Sequence, residues 1–501
     1  MTGRLALAAI CLAQSASAEP RFVDDRAGLP HPHSYSGGWE HFVGGGVAVF
    51  DCNADARPDL FVAGGEGPAS LFVNRSEQGG AISFDAGSVE TLTRVTGAYP
   101  LDVDSDGQMD LAILRVGDNR LWRGLGGCRF VDATSDWGLP SDDRWTTAFT
   151  ATWEPGKDWP SLFFGNYVDR SDPDGPFEAC DSHVYLRPDG QKYGDIETIQ
   201  PGYCTLSALI SDWQRTGKPE LRLSNDRHYY VRGGYEQMLN LQTLTERQDW
   251  PHVSLWGMGI ASRDITGDGL PEVMMTSMGD QLLQINTGEG FRNADYALGT
   301  YAQRPYFGDD GRPSTGWHVE FGDVDNDGLT DIFIAKGNVD QMPSNAIHDP
   351  NNLLMQSATG SFTEFGQQAG IATTDRSRGA ALTDLNGDGL LDLVVVNRRA
   401  PLEIWRNVTS ETGNWAAIEP IQPATNPSAV GAWVEVRAGD RVQAQEVTVG
   451  GGHAGGTAGP LHFGLGSVLA AEARVIWPDG TIGPWEPLTL NARNTLRRAS
   501  N

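Results

Sequence analysis

Asp323-Val324-Asp325-Asn326-Asp327-Gly328-Leu329-Thr330-Asp331 is the stretch that decides the reading of this chain, because near-copies of it return along most of the length. Carboxylates at positions 1, 3, 5 and 9 with glycine at 6 make a tight turn whose oxygens are expected to converge on one point. Hard oxygen donors in such numbers suit Ca2+, which takes about 6–8 of them, here including the backbone carbonyl of Leu329 at position 7. Glycine at position 6 permits the sharp backbone turn.

A helix-flanked calcium hand needs a bidentate Glu at position 12. Position 12 here is Ile334, inside the apolar run Ile332-Phe333-Ile334-Ala335, and Trp317-His318-Val319-Glu320-Phe321 precedes the loop. Both flanks read as strands, so a β-hairpin turn folded around an ion is expected, with Asp331 in the bidentate role. Four more loops keep oxygen ligands in the same places: Asp51, Asn53, Asp55 and Asp59; Asp102, Asp104, Asp106 and Asp110; Asp264, Thr266, Asp268 and Glu272; Asp384, Asn386, Asp388 and Asp392. With Asp323, Asp325, Asp327 and Asp331 they predict up to five Ca2+ sites, completed by the carbonyls of Arg57, Gln108, Leu270, Leu329 and Leu390. Ala56 replaces the glycine of the first loop, at a left-handed strain of about 1 kcal/mol, so that site is expected to be the weakest or empty.

Two further units keep the strands without the ligands. Asp212-Trp213-Gln214-Arg215-Thr216-Gly217-Lys218-Pro219-Glu220 puts Arg215 and Lys218 where a cation would go, and Trp153 to Ser161 keeps only the turn. No metal is expected in either. The loops begin near 51, 102, 153, 212, 264, 323 and 384, steps of 51, 51, 59, 52, 59 and 61 residues. A further strand recurs after each hairpin, as in Ser70 to Arg75, Arg120 to Arg123, Asn352 to Gln356 and Leu402 to Asn407. A unit of about 50–60 residues with four short strands is a propeller blade, so the expected fold class is all-β, a seven-bladed β-propeller.

The ends of the repeat explain each other. Outer strands read Phe130-Val131-Asp132 before Gly138-Leu139 and Phe362-Thr363-Glu364 before Gly370-Ile371, and none follows Asn407. The missing copy is Phe22-Val23-Asp24 before Gly28-Leu29. Residues 21–29 are therefore expected to complete the last blade and remove an exposed sheet edge.

The 501-residue chain exceeds the usual size of one compact core. Its formal net charge of −28 argues against nucleic acid and anionic membrane surfaces. The five loops hold 17 of its 65 acidic residues, so bound cations would offset part of that charge. Arg4, the apolar run Leu5 to Ala13 and Ala16-Ser17-Ala18 read as a signal peptide over residues 1–18. No later run approaches the roughly 20 apolar residues of a spanning helix, so an exported protein, periplasmic or extracellular, is expected. Beyond Cys11 four cysteines remain, allowing three connectivities. Cys180 with Cys204, tying down what reads as a long irregular insertion, leaves Cys52 with Cys128.

From residue 413 the period stops and short alternating strands separated by glycine-rich turns predict a small, sandwich-like all-β domain over residues 413–501, following a propeller over residues 19–412. The acidic loops resemble those of FG-GAP/VCBS repeats, the blades also found in the integrin α-subunit head. Gly431-Ala432-Trp433-Val434-Glu435-Val436, Gly450-Gly451-Gly452-His453, Leu461-His462-Phe463-Gly464-Leu465-Gly466 and Trp477-Pro478-Asp479-Gly480 look like an ASPIC/UnbV domain. The combination resembles the cartilage acidic protein family and its bacterial secreted relatives. That resemblance implies a calcium-binding exported propeller engaged in extracellular contact or recognition, with a protein or glycan as partner.

Non-enzymatic recognition is the expected function, a glycan-binding lectin and a carbohydrate-active propeller enzyme being the alternatives. The sequence has no G-x-S-x-G, no H-E-x-x-H and no phosphate-cradling glycine loop. The acidic clusters recur, whereas an active site is normally single. A ligand surface is expected at the connections 302–315 and 337–351, beside Trp256, Trp317 and His318; the competing reading packs those tryptophans between blades. His318, His453 and His462 read as hydrogen-bonded structural residues.

Overall fold

The strands flanking each acidic loop pair as antiparallel neighbours: Val47–Phe50 with Asp59–Val62, Val95–Leu101 with Asp110–Arg115, Gly257–Arg263 with Glu272–Ser277, Gly316–Gly322 with Asp331–Lys336, and Ser377–Thr383 with Asp392–Asn397. The two degenerate units do the same, Thr146–Thr152 with Ser161–Asn166 and Thr205–Ser211 with Glu220–Asn225. These pairings come from a computed structural model that describes residues 18–173, 178–226, 233–301, 314–339, 347–423 and 425–499. Most of the expected signal peptide, and residues 302–313 and 340–346 of the expected ligand-binding connections, lie outside the described residues.

Third and fourth strands add outward, giving seven four-stranded antiparallel sheets before the C-terminal domain among the described residues. Their innermost strands neighbour one another in chain order, and Ser377–Thr383 returns to lie against Val47–Phe50, so the sheets form a ring, a β-propeller. Innermost strands such as Val95–Leu101 and Thr146–Thr152 are buried along their whole length. Outer strands such as Phe84–Ala86 have three residues and are largely exposed, which leaves little edge for another chain to pair with. Apolar and aromatic side chains fill the wedges between sheets, as where Phe61 meets Trp122 edge-on with ring centroids 5.8 Å apart.

The N-terminal segment closes the ring. Phe22–Asp24 pairs antiparallel with Glu403–Asn407, Phe22 opposite Asn407 and Asp24 opposite Trp405, and becomes the fourth strand of the last sheet. The stretch between Cys180 and Cys204 departs from the expected irregular insertion. It supplies His183–Pro188 and Tyr193–Ile199, the third and fourth strands of the third sheet. Pro188, Gly190 and Gly202 disguise them in sequence, yet the two strands pair from His183 opposite Ile199 to Pro188 opposite Tyr193. Disulfides Cys180–Cys204 and Cys52–Cys128 are both formed, the second joining the first acidic loop to the hairpin that ends the second sheet.

The C-terminal domain has two sheets. One runs Leu461–Gly466, Asn414–Ile421, Ala492–Arg497, with the last two parallel; the other runs Arg441–Glu446, Trp433–Ala438, Ala471–Ile476, Glu486–Pro487. Val434, Val436, Phe463, Ala473 and Val475 form the core between them. No helix among the described residues is long and apolar enough to cross a membrane.

Candidate functional site

One hydrogen-bond scheme shapes the acidic loops. The position-1 carboxylate accepts N–H groups across the turn: Asp102 from Asp106 (3.1 Å) and Gly107 (2.9 Å), Asp323 from Asp327 (3.1 Å) and Gly328 (2.7 Å). Position 5 turns back to the N–H of position 7, as in Asp106 with Gln108 (2.9 Å), Asp268 with Leu270 (2.9 Å) and Asp388 with Leu390 (2.9 Å). Position 9 is a pin. One oxygen of Asp110 accepts from Val103 (2.7 Å) in the loop and the other from Gly124 (2.8 Å) on the third strand. Asp59, Asp331 and Asp392 repeat this with Cys52 and Asn74, Val324 and Gln356, and Leu385 and Asn407, and Glu272 with Ile265 and Asn286. Asp212 keeps the position-1 bonds to Thr216 (2.9 Å) and Gly217 (2.6 Å) in a loop that also carries Arg215 and Lys218. The position-1 cap therefore forms a turn and does not by itself mark a cation site.

Three carboxylates converge in two loops. Asp102, Asp104 and Asp110, and likewise Asp323, Asp325 and Asp331, bring oxygens within 4.8 Å of one another. At position 5, one oxygen of Asp106 and of Asp327 accepts the N–H of Gln108 and Leu329. At 51, 264 and 384 the third position is Asn53, Thr266 or Asn386, an oxygen donor that is not a carboxylate. Cys52, Asp59 and Cys128 also lie together, but the two sulfurs are bonded to each other and offer no thiolate. The all-oxygen trios fit a hard divalent cation such as Ca2+.

Burial dominates the electrostatics of these groups and raises the proton affinity of their carboxylates. Asp59, Asp102, Asp264 and Asp384 are pushed up to about 6, and Asp110 and Glu272 to about 8, despite the backbone N–H groups that favour the charged forms. Asp323 and Asp331 are also raised well above the ordinary carboxylate range, with neighbouring aspartates adding repulsion to burial. At 102–110 the chain supplies its own cation: Arg123 reaches Asp104 (2.7 Å) and Asp106 (2.9 Å). Ala56 takes the strained turn at φ 66° and Ala54 joins it at φ 61°.

A family model for FG-GAP-like repeats matches residues 51–113, 264–334 and 323–395, and one for ASPIC and UnbV matches residues 422–501. The chain carries FG-GAP-like repeats and an ASPIC/UnbV domain. It is distantly similar to cartilage acidic protein 1: 26% identity over 241 residues of the human protein and over 235 of the Xenopus tropicalis one, 46% and 45% of this chain. The match spans about a third, 34%, of each relative's length. Among solved structures, BBS1N in complex with ARL6DN aligns at TM-score 0.45 and 10% identity, over 77% of this chain and 97% of that one. An Agrocybe aegerita lectin that recognises non-reducing terminal N-acetylglucosamine aligns at 0.31 and 14%, over 79% and 92%.

The ASPIC/UnbV domain sits on the face of the propeller that carries the FG-GAP loops. Asn426 donates to Ser105 (3.2 Å), and His462 Nε2 and Gly389 O are 3.1 Å apart. Arg215 leaves its own loop, donating to Gly269 O (3.0 Å) and Glu435 (2.6 Å) while its guanidinium lies 4.7 Å from the Trp433 ring centre. From this domain residues 449–458 enter the propeller axis. Val449 O accepts from Ala151, Gly451 N donates to Ala208 O, and Gly452 exchanges two bonds with Ile260. Ala454 O then accepts from Ala98, Gly456 O from Val49, and Ala458 N donates to Val49 O. A side chain at Gly46 or Gly97 would lie 1.8 Å from Ala454 O, so both positions fit the plug only as glycine.

His453, the last residue of the Gly-Gly-Gly-His motif, anchors the plug. Its N–H donates to His318 Nδ1 (3.1 Å) and its Nε2 accepts from Gly44 (3.1 Å). Burial holds it neutral, down to about 3. Trp317, 2% exposed, packs 5.2 Å from His453 and donates to Gly337 O, with the Arg378 guanidinium 4.1 Å from its ring centre. Trp317 and His318 are interior residues, and Trp256 packs partly buried beside them. Trp317 and His318, expected to border a ligand surface, instead seat the plug, a role that no local sequence signal carries.

Proposed function

We propose that this protein is an exported, calcium-stabilised recognition module with no catalytic activity of its own. The observation that carries the reading is the occupied axis. The centre of a propeller, where inner strands bring groups from every blade together, is crossed here by main chain bonded to the chain itself, which leaves a cavity of about 1050 Å³ lined by Val49, Leu101, Leu209, Ile260, His318 and Gly451. The acidic groups support the same view, since they recur from blade to blade and serve first as pins and caps. Two disulfides fit an oxidising compartment. Calcium enters through the trios at 102–110 and 323–331, whose carboxylates a bound divalent cation would hold together against their repulsion.

Recognition falls to the face opposite the ASPIC/UnbV domain. There Trp39, 39% exposed, stands edge-on against Trp145 with ring centroids 4.9 Å apart. Glu40 pairs beside it with Arg170 (2.5 Å) and Arg94 (3.8 Å). A rigid, half-exposed tryptophan ringed by paired charges has the make-up of a binding anchor. Probing the full chain against a glycan array and immobilised extracellular-matrix proteins, with and without calcium, tests this. Binding that Trp39→Ala weakens at least tenfold supports the reading. Turnover of a polysaccharide by the purified protein overturns it.

A further inference from the structure

We propose that the ASPIC/UnbV domain is the lid of the 323–331 loop, so that a cation held there is sealed between the two domains and clasps them together. This rests on the reading that the trios hold calcium. The two trios differ in their surroundings. Asp323, Asp325 and Asp331 are 7%, 1% and 1% exposed, whereas Asp104 keeps a partly exposed side chain and pairs with Arg123. Position 9 is buried in every loop by its own blade, as Asp59, Asp110, Glu272 and Asp392 show, and what the 323–331 loop adds is cover from the other domain. The backbone of Leu461–Gly466 lies across the loop, and a Cβ on Gly464 would stand 1.8 Å from Asp323 Oδ2. Gly466 N donates to Asn326 O (2.8 Å) and Gly413 N to Asp325 O (3.1 Å). Gly413 is equally close, its Cβ position 1.9 Å from Asn326 O.

Three glycines of the C-terminal domain and its linker thus meet the loop with backbone alone, and Gln443 Nε2 holds Gly464 O from behind (2.7 Å). The lid also reaches the neighbouring loop, where His462 Nε2 lies 3.1 Å from Gly389 O, the carbonyl to which Asn326 Nδ2 donates at 3.0 Å. Two consequences follow from simple electrostatics. A cation in this trio leaves only when the lid lifts, and an empty trio puts mutually repelling carboxylates directly under the lid.

Release kinetics and hydrogen exchange decide the matter. Calcium-loaded full-length protein is mixed rapidly with a fluorescent chelator, and exchange is followed at residues 461–466. The expected result is one ion released at least tenfold more slowly than the rest, with exchange at 461–466 rising at least tenfold once calcium is removed. Asp325→Ala abolishes the slow ion and raises exchange at 461–466 in calcium; Asp104→Ala removes a fast ion and keeps the slow one. Calcium uptake with a single release rate overturns the clasp alone. A wild-type chain that takes up no calcium overturns the calcium reading and the clasp with it. The wild-type kinetics decide the question without either variant folding.

Discussion

Gly97→Ala is the most direct probe of the occupied axis. The added methyl would sit 1.8 Å from Ala454 O, 2.7 Å from its carbonyl carbon and 2.8 Å from Ala454 Cβ. Gly97 lies in the fully buried strand Val95–Leu101, so the strand has little room to withdraw. Overpacking of this kind costs about 1–3 kcal/mol. The carbonyl it displaces also accepts from Ala98 (3.1 Å), and leaving that buried N–H unpaired adds about 1–3 kcal/mol. The combined loss, about 2–6 kcal/mol, is a large fraction of the stability of a typical domain. Gly194→Ala is the matched control. It too is a glycine in a strand, Tyr193–Ile199, but nothing lies within 4 Å of its added methyl. Surface changes of that sort stay within about 0.5 kcal/mol. Urea unfolding of both variants at constant calcium, followed by tryptophan fluorescence, reads the difference. If Gly97→Ala unfolds at the same urea concentration as Gly194→Ala, residues 449–458 do not occupy the axis in solution and the argument from an occupied axis fails.

Arg123→Gln should tighten calcium at 102–110 about 2- to 5-fold by isothermal titration, because a half-exposed guanidinium competing for Asp104 and Asp106 is worth only about 0.2–1 kcal/mol; weaker binding would make Arg123 a support of the site and not a competitor. The loop carboxylates set a pH dependence. Asp110 and Glu272, raised to about 8, and Asp59, Asp102, Asp264 and Asp384, raised to about 6, hold protons in the folded state that the unfolded chain gives up near 4. Their contribution is present below about 4 and is lost as pH rises through 6 to 8, so metal-free protein should melt at a lower temperature at pH 8.5 than at about 5.5. Added calcium should recover more of the melting temperature at the higher pH, and equal recovery at both would contradict the assignment. Replacing both cysteines of Cys180–Cys204, 24 residues apart, should cost about 3.5 kcal/mol and of Cys52–Cys128, 76 apart, about 4.5 kcal/mol in chemical denaturation, the longer loop losing more.

The repeat, the hairpins and the closing strand were legible because each is written in local pattern. An acidic turn between two apolar runs specifies a hairpin wherever it stands, and Phe22-Val23-Asp24 could be matched to the last blade because the other blades displayed the outer strand it lacked. Sequence by itself also separated the loops with oxygen ligands from the two without them, since ligand type and spacing are read residue by residue. It could not tell that the N–H of position 7 takes one oxygen of the position-5 carboxylate. Nor could it tell that Arg123, from the next hairpin, enters the loop.

Tertiary structure alone decided the rest. His183–Pro188 and Tyr193–Ile199 become strands because the third sheet presents Ser161–Asn166 for them to extend, which overrides their turn-rich composition. Gly450-Gly451-Gly452-His453 has no periodicity to announce an axial plug, and Trp317 and His318 resemble surface recognition residues until the plug covers them. Contacts such as Ala454 with Gly46 and Gly97 join positions more than 350 residues apart, and at that separation no local preference of the chain encodes which backbone will meet which.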